Sequence, residues 1–311
     1  MSVTVVGSIA FDAVKTPFGE RDRMLGGSAV HFSLAASFFD DVHVVGPVGE
    51  DFGPEEYAVL EQRGIDTSDI ERVAGGRTFF WRGEYGWDLN DRETLDTQLN
   101  VFADFQPKLS PASRASDVLF LANIQPDLQR EVRAQWGGAG FVAMDSMNLW
   151  IETARDSLIE TIGGVDCLML NDAELRQLTH EPNLVRAARQ VREWGPRVVV
   201  AKRGEYGAAM ITDEGFFGLP AFPLETVVDP TGAGDSFAGG FVGYVAAHSS
   251  HELDHALLSR AMAYGTALAS FNVEEFGVER VARLTSDELA DRVAELQRVT
   301  QFSEQPVALR H

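Results

Sequence analysis

Along this chain, short runs of aliphatic and β-branched residues alternate with longer stretches whose apolar residues recur at three- and four-residue spacing. The short runs read as buried strands at 2–8, 42–48, 118–122, 141–145, 167–171 and 198–202. Helical spacing occupies 54–63, 127–136, 152–162, 172–179, 183–194 and 253–270. A polar helix begins near 286 and is expected to fray towards the last residues. Such alternation predicts an α/β protein, with a mostly parallel sheet covered by helices on both faces. No repeat, linker or low-complexity tract divides the sequence, so residues 1–311 read as one domain.

Two stretches break the pattern. Residues 13–25 are mixed and polar, interrupted by Pro17 and Gly19. Residues 77–87 alternate as a strand, with Phe79, Trp81 and Tyr85 on one side and Thr78, Phe80, Arg82 and Glu84 on the other. So many aromatics away from the core helices suggest a small sheet that covers something. An apolar face of that kind rarely stays uncovered, which predicts contact with a second copy. Arg82 could face a phosphate or simply be solvated, and the polar residues 88–98 lie close by.

Composition narrows the possibilities. The 26 Lys and Arg stand against 47 Asp and Glu, a formal charge of −21. A surface this acidic repels nucleic acid and anionic membranes, so neither is expected as a partner. It also opposes any phosphate ligand, whose site must then be made from local dipoles, a metal and a few chosen cations. The single cysteine, Cys167, lies in an apolar run, which excludes an internal disulfide framework and reads as core. With no leader and no apolar run of bilayer length, the protein is expected to be soluble and cytoplasmic.

Candidate chemistry collects where strands end. An extended run at 224–228 leads into Asp229-Pro230-Thr231-Gly232-Ala233-Gly234-Asp235, after which Phe237, Phe241, Tyr244 and Val245 take helical spacing. Small residues let backbone N–H groups turn inward around an anion, and the helix start adds its positive dipole. Asp235 would repel that anion, so a base that takes a proton from an attacking hydroxyl makes better sense of it. The competing reading is a helix-capping aspartate. Asp12, just past the first strand, stands where α/β folds place ligands, or else caps a turn. No G-x-G-x-x-G follows that strand, which argues against a dinucleotide-binding dehydrogenase. Gly26-Gly27-Ser28 opens a small-residue helix and offers free N–H groups to a polyol. His31 on that helix could bond an acceptor hydroxyl, stack on a base or serve the structure. Asn123, Asp145 and Asn171 each close a strand and point to one edge. Asn171 and Glu174 can face one point, as a capping box or with the carboxylate holding hydrated magnesium.

These motifs resemble the ribokinase-like (PfkB) family of carbohydrate and nucleoside kinases. Its second signature, D-x-T-G-A-G-D, is matched at Asp229, Thr231, Gly232, Ala233, Gly234 and Asp235. Its G-G-x-x-x-N-x-A is matched at Gly26 and Gly27, while His31 and Ser33 replace the Asn and the Ala. Asn171 and Glu174 match N-x-x-E, and Lys202, Gly204 and Gly207 match K-x-G-x-x-G. Asp145 is kept from a D-x-N motif in which Met147 replaces the Asn. The resemblance implies a three-layer α/β/α fold with a small β lid, built from 13–25 and about 76–105, and a homodimer clasped through it. It implies an anion hole at Gly232, Ala233 and Gly234 and a catalytic base at Asp235. Asp12, Gly26, Gly27, Ser28, His31 and Asn123 would bind the acceptor. Asn171, Glu174, Lys202, Gly204, Gly207 and Thr231 would serve ATP, with Mg²⁺ held by Glu174 through water and K⁺ by Asp229 and Thr231. The implied activity is ATP-dependent phosphorylation of a sugar or polyol hydroxyl, with a ribonucleoside as the alternative acceptor. A nucleotide-binding sensor without turnover is the reading from another class. The presence of Asp235 speaks against it, because the base is what pseudo-enzymes usually lose.

Overall fold

The computed structural model describes residues 1–90, 92–248 and 253–301. The end of the expected terminal helix, beyond Gln301, lies outside the described residues. Thirteen strands follow one another among them: β1 (Ser2–Val6), β2 (Ala10–Thr16), β3 (Gly19–Gly26), β4 (Asp41–Val48), β5 (Ile70–Arg72), β6 (Phe79–Tyr85) and β7 (Arg92–Gln98) come first. Then come β8 (Val118–Leu121), β9 (Phe141–Asp145), β10 (Cys167–Asn171), β11 (Val198–Lys202), β12 (Ala208–Ile211) and β13 (Phe216–Leu219). Nine form a central sheet in the order β13-β12-β11-β10-β9-β8-β1-β4-β5, parallel except where β12 and β13 fold back. The other four form a small sheet, β3-β2-β6-β7.

The central strands are apolar at nearly every position because both faces are covered, and neighbouring residues serve opposite cores. Val118 and Phe120 face one core while Leu119 and Leu121 face the other. The same split divides Val198 and Val200 from Val199 and Ala201. Helices Ser28–Ala36, Ala233–Ala247 and His255–Asn272 cover the first face. Helices Pro126–Gln135, Arg155–Ile162, Asp172–Thr179 and Leu184–Arg192 cover the second. The result is a three-layer α/β/α fold. Cys167 is fully buried in the first core.

The helix expected at 152–162 is two, Asn148–Thr153 and Arg155–Ile162, parted where Ala154 leaves helical geometry (φ −141°, ψ 33°). The run at 224–228 joins no sheet, although the Val228 amide donates to the Val273 carbonyl at 2.8 Å. Among the described residues no helix is long and apolar enough to cross a membrane.

In the small sheet, Asp12 of β2 lies opposite Trp81 of β6, and Trp81 lies opposite Thr97 of β7. A bulge between Arg82 and Gly83 leaves Leu95 as an extra residue on β7 and sets Tyr85 opposite Arg92. The aromatic face expected to be uncovered is turned inward. Tyr85 is buried with Val14 and Phe276, and Trp81 packs beside them. The outer face carries ion pairs, Lys15–Glu84 at 2.7 Å and Arg82–Asp22 at 3.5 Å, so Arg82 points to solvent.

Candidate active site

Pro230 and Thr231 turn the chain into the helix Ala233–Ala247, and Gly232 caps it at φ 76°. A β-carbon on Gly232 would overlap the His31 imidazole, so conformation and space both demand glycine there. The Ala233 amide donates to the Pro230 carbonyl at 3.2 Å. The Gly232 and Gly234 amides have no protein acceptor among the described residues, and they open the positive end of a 15-residue helix. Two of the three expected amides are therefore open to an anion, and the third holds the turn.

Asp235 is not the cap, since no side chain caps this helix. Burial pushes its carboxyl up to about 7, and Asp145 adds to the rise, while Lys202 and Arg92 oppose it. Lys202 closes β11, with its ammonium beside Gly234 and 2.7 Å from the Asp145 carboxylate. Burial works to neutralise that lysine, but Asp145, Asp235 and Glu174 outweigh it and raise its pKa. The cation beside the open amides is thereby kept. Asn171 and Glu174 form the capping box: Asn171 Oδ1 accepts the Glu174 amide at 2.7 Å, and Glu174 Oε2 accepts the Asn171 amide at 2.9 Å. Burial, then Asp145, lifts the Glu174 carboxyl to about 7. Gly204 (φ 54°) and Gly207 (φ 84°) shape the loop after β11, where Asn90 Nδ2 donates to Glu205 at 3.3 Å.

Asp12 is buried in β2, and its carboxyl is lifted to about 7 by burial, then by Asp229 and Asp235, with the Gly27 amide opposing. The Asp12 side chain lies against Gly26, where a β-carbon would overlap it, and Gly27 caps the next helix at φ 96°. Three residues expected to bind the acceptor are engaged elsewhere. The Ser28 hydroxyl lies 3.1 Å from that of Ser8, and each hydroxyl also accepts the other residue's amide, at 3.0 and 3.3 Å. Asn123 donates to Met147 Sδ at 3.0 Å and accepts from Trp150 Nε1 at 3.0 Å. His31 is buried and bonded to Asn272 at 2.9 Å, and burial drives its pKa down to about 4 against that bond.

The oxygens expected to hold potassium are also engaged. Asp229, fully buried, accepts the Thr231 amide at 2.9 Å and the Gly277 amide at 3.1 Å. The Thr231 carbonyl accepts Asn272 Nδ2 at 2.7 Å, and its hydroxyl donates to the Tyr85 hydroxyl at 3.1 Å. These bonds tie the turn to Asn272 and to the 273–277 loop. Among the described residues no group of three or more His, Cys, Asp or Glu side chains could hold a metal by itself. A divalent ion would fit here only with oxygen donors from water and phosphate beside Glu174.

Two further residues contribute, Asp145 from the strand ends already noted and Arg92, which the sequence pattern did not single out. Asp145 anchors Lys202 from beneath. Arg92 of β7 acts electrostatically on Asp12, Asp235 and Glu174 at once and lies 5.2 Å from the Trp81 ring centroid. The odd separation of Arg92 from Thr97 would put them on opposite faces of a regular strand, and only the bulge at Leu95 puts them on the same one.

A three-layer α/β fold with open amides, a half-buried lysine and carboxylates gathered beyond the strand ends is the build of a phosphoryl-transfer protein. The pfkB family carbohydrate kinase profile matches residues 19–283, and the chain belongs to that family. A cytidine kinase from Thermococcus kodakarensis is 28% identical over 251 residues, 78% of this chain and 87% of its own length. A nucleoside kinase from Methanothermobacter thermautotrophicus is 26% identical over 295 residues, 88% of this chain and 90% of its own. The solved nucleoside kinase of Methanocaldococcus jannaschii superposes with a TM-score of 0.75 over 94% of this chain and 98% of its own, at 20% identity. The protein is an ATP-dependent kinase that acts on a hydroxyl of a small molecule.

Proposed function

We propose that the acceptor is a ribonucleoside. One observation carries this reading: the inward face of the small sheet sets the Trp81 ring in register with Asp12. A flat π-face beside a carboxylate that can take sugar hydroxyls suits a ribose carrying a base. The small sheet then acts as a lid over the acceptor. The cytidine and nucleoside kinases among the relatives support the reading.

In the mechanism we propose, Asp12 orients the ribose and Asp235 accepts the proton of the attacking hydroxyl. That oxygen bonds to the γ-phosphorus as the bond to the leaving ADP oxygen breaks. The Gly232 and Gly234 amides, Lys202 and Arg92 stabilise charge on the transferring phosphoryl group. Magnesium, when bound, adds charge neutralisation on the phosphates, and Glu174 would hold its water.

We also propose a homodimer formed through the small sheet. Phe18, Leu95 and Leu99 are large apolar residues on or beside the small sheet and about half exposed, and Trp87 is 88% exposed. Sedimentation equilibrium of the wild type and of Leu95→Asp checks it.

ATP turnover with Mg²⁺ against cytidine, adenosine, inosine, ribose, fructose and inositol tests the acceptor. Turnover on a nucleoside at least tenfold above every free sugar supports the proposal, and preference for a free sugar overturns it. Silence across the panel with ATP still bound would point to the sensor reading.

A further inference from the structure

We propose that His31 is a positioning residue of the phosphoryl cradle, holding the Thr231–Gly232 turn through Asn272, and does not contact the acceptor. The inference rests on the reading of Gly232 to Asp235 as the site of phosphoryl transfer.

The hydrogen-bond network assigns the imidazole's proton. Asn272 must aim its NH₂ at the Thr231 carbonyl, 2.7 Å away, because a carbonyl can only accept. Its Oδ1 therefore faces His31 Nδ1 at 2.9 Å and Ser236 Oγ at 3.0 Å, and both must donate to it. His31 thus carries its hydrogen on Nδ1. Nε2 keeps a bare lone pair, which is buried and has no hydrogen-bond partner. Burial keeps the ring neutral, and the bond to Asn272 opposes that only in part.

Three helices meet at this point. His31 comes from Ser28–Ala36, Ser236 from Ala233–Ala247 and Asn272 from the last residue of His255–Asn272. The ring is 2% exposed and packed against Gly232. A ring this enclosed has no face for an acceptor hydroxyl or base. What it does touch is the one left-handed residue of the turn, and through Asn272 the carbonyl before it. Tilting that turn would re-aim the Gly232 and Gly234 amides.

His31→Phe keeps the ring and removes the donor, while His31→Gln offers an N–H in its place. The full-length variants are assayed at saturating MgATP with the acceptor of the panel that turns over fastest. We expect kcat of His31→Phe to fall between about tenfold and a hundredfold, since small misplacements have that cost. The acceptor KM should stay within about twofold, and His31→Gln should recover most of kcat. His31→Phe combined with Asn272→Ala should be no worse than the poorer single variant, because both act on one carbonyl. A pH–rate profile unchanged in shape is expected, because a neutral His31 contributes no limb.

An acceptor KM raised tenfold with kcat retained would overturn the proposal, as would a lost pH limb or additive losses. Should no acceptor turn over, or should His31→Phe not fold, calorimetry of His31→Gln and Asn272→Ala with Mg²⁺, ADP and tetrafluoroaluminate replaces kinetics. Weakened binding in Asn272→Ala alone, with ADP affinity unchanged in both, supports the proposal, and unchanged binding in both overturns it. Asp235→Asn separates the two layers of argument. If that variant stays active, the underlying reading of the turn fails. If it is inactive while His31 variants change only KM, this inference fails by itself.

Discussion

The central sheet and the small sheet answer to different solvents, and their strands differ accordingly. In the central sheet, Phe120 stacks on Phe32 at 4.2 Å, both fully buried, and nearly every residue of the inner strands has a core to serve. In the small sheet one face meets the 229–235 turn through Tyr85, and the other meets water through Lys15–Glu84 and Arg82–Asp22. Exposed pairs of that kind contribute little to stability. The central sheet therefore carries most of the buried core, and the small sheet adds a minor cluster of its own.

The two regions should fail differently. Loss of the base is the largest expected effect: Asp235→Asn should reduce kcat by about 10²–10⁴-fold in a steady-state assay while ATP binding survives in calorimetry. Core damage comes next. Phe120→Ala should cost about 3–5 kcal/mol in denaturant unfolding, because a buried ring leaves a cavity on the sheet. Arg92→Met in the small sheet should leave that unfolding curve unchanged and lower kcat/KM by roughly tenfold, the scale of a charge-assisted bond at about 1.4 kcal/mol. Comparable instability in Arg92→Met and Phe120→Ala would dissolve the contrast.

The pH dependence sharpens it further. Asp12, Glu174 and Asp235 bind protons up to about 7 in the folded protein. Unfolded carboxylates release them near 4. The folded state thus binds more protons between about 4 and 7, so this contribution to stability is full on the acid side and is lost as pH rises through 7. The unliganded protein should melt at a lower temperature at pH 8 than at pH 6. Asp235→Asn should reduce that difference by removing one buried charge. Activity runs the other way: kcat/KM should fall by up to about tenfold per pH unit below 7, where the base becomes protonated. The smallest effect concerns monovalent ions. Because the Asp229 and Thr231 bonds hold the turn by themselves, exchanging K⁺ for choline should change kcat by less than about twofold.

Much of the site could be read from residue order. A Gly-Ala-Gly-Asp turn, a glycine pair and a lysine at a strand end carry their chemistry locally, and their spacing survives any packing. Ser28, Asn123 and His31 are bonded elsewhere in the fold for a shared reason. Each has a side chain able to bind a hydroxyl, but its partner — Ser8, Trp150 or Asn272 — lies 20 to 241 residues away. Arg92 was missed because a one-residue bulge decides which face of β7 it occupies, and a bulge leaves no mark on hydrophobic alternation.

Local spacing in this sequence was enough to determine the α/β order, the strand ends that could hold a ligand and the place of Asp235 in the first turn of its helix. Those properties follow from periodicity and from backbone preferences that act over a few residues. Which polar groups remain open to a ligand was decided only by the tertiary structure, because a hydrogen bond needs its partner in place. Folding committed His31 and Asp229 to the turn, turned Tyr85 onto Thr231, and left the Gly232 and Gly234 amides facing outward beside Lys202.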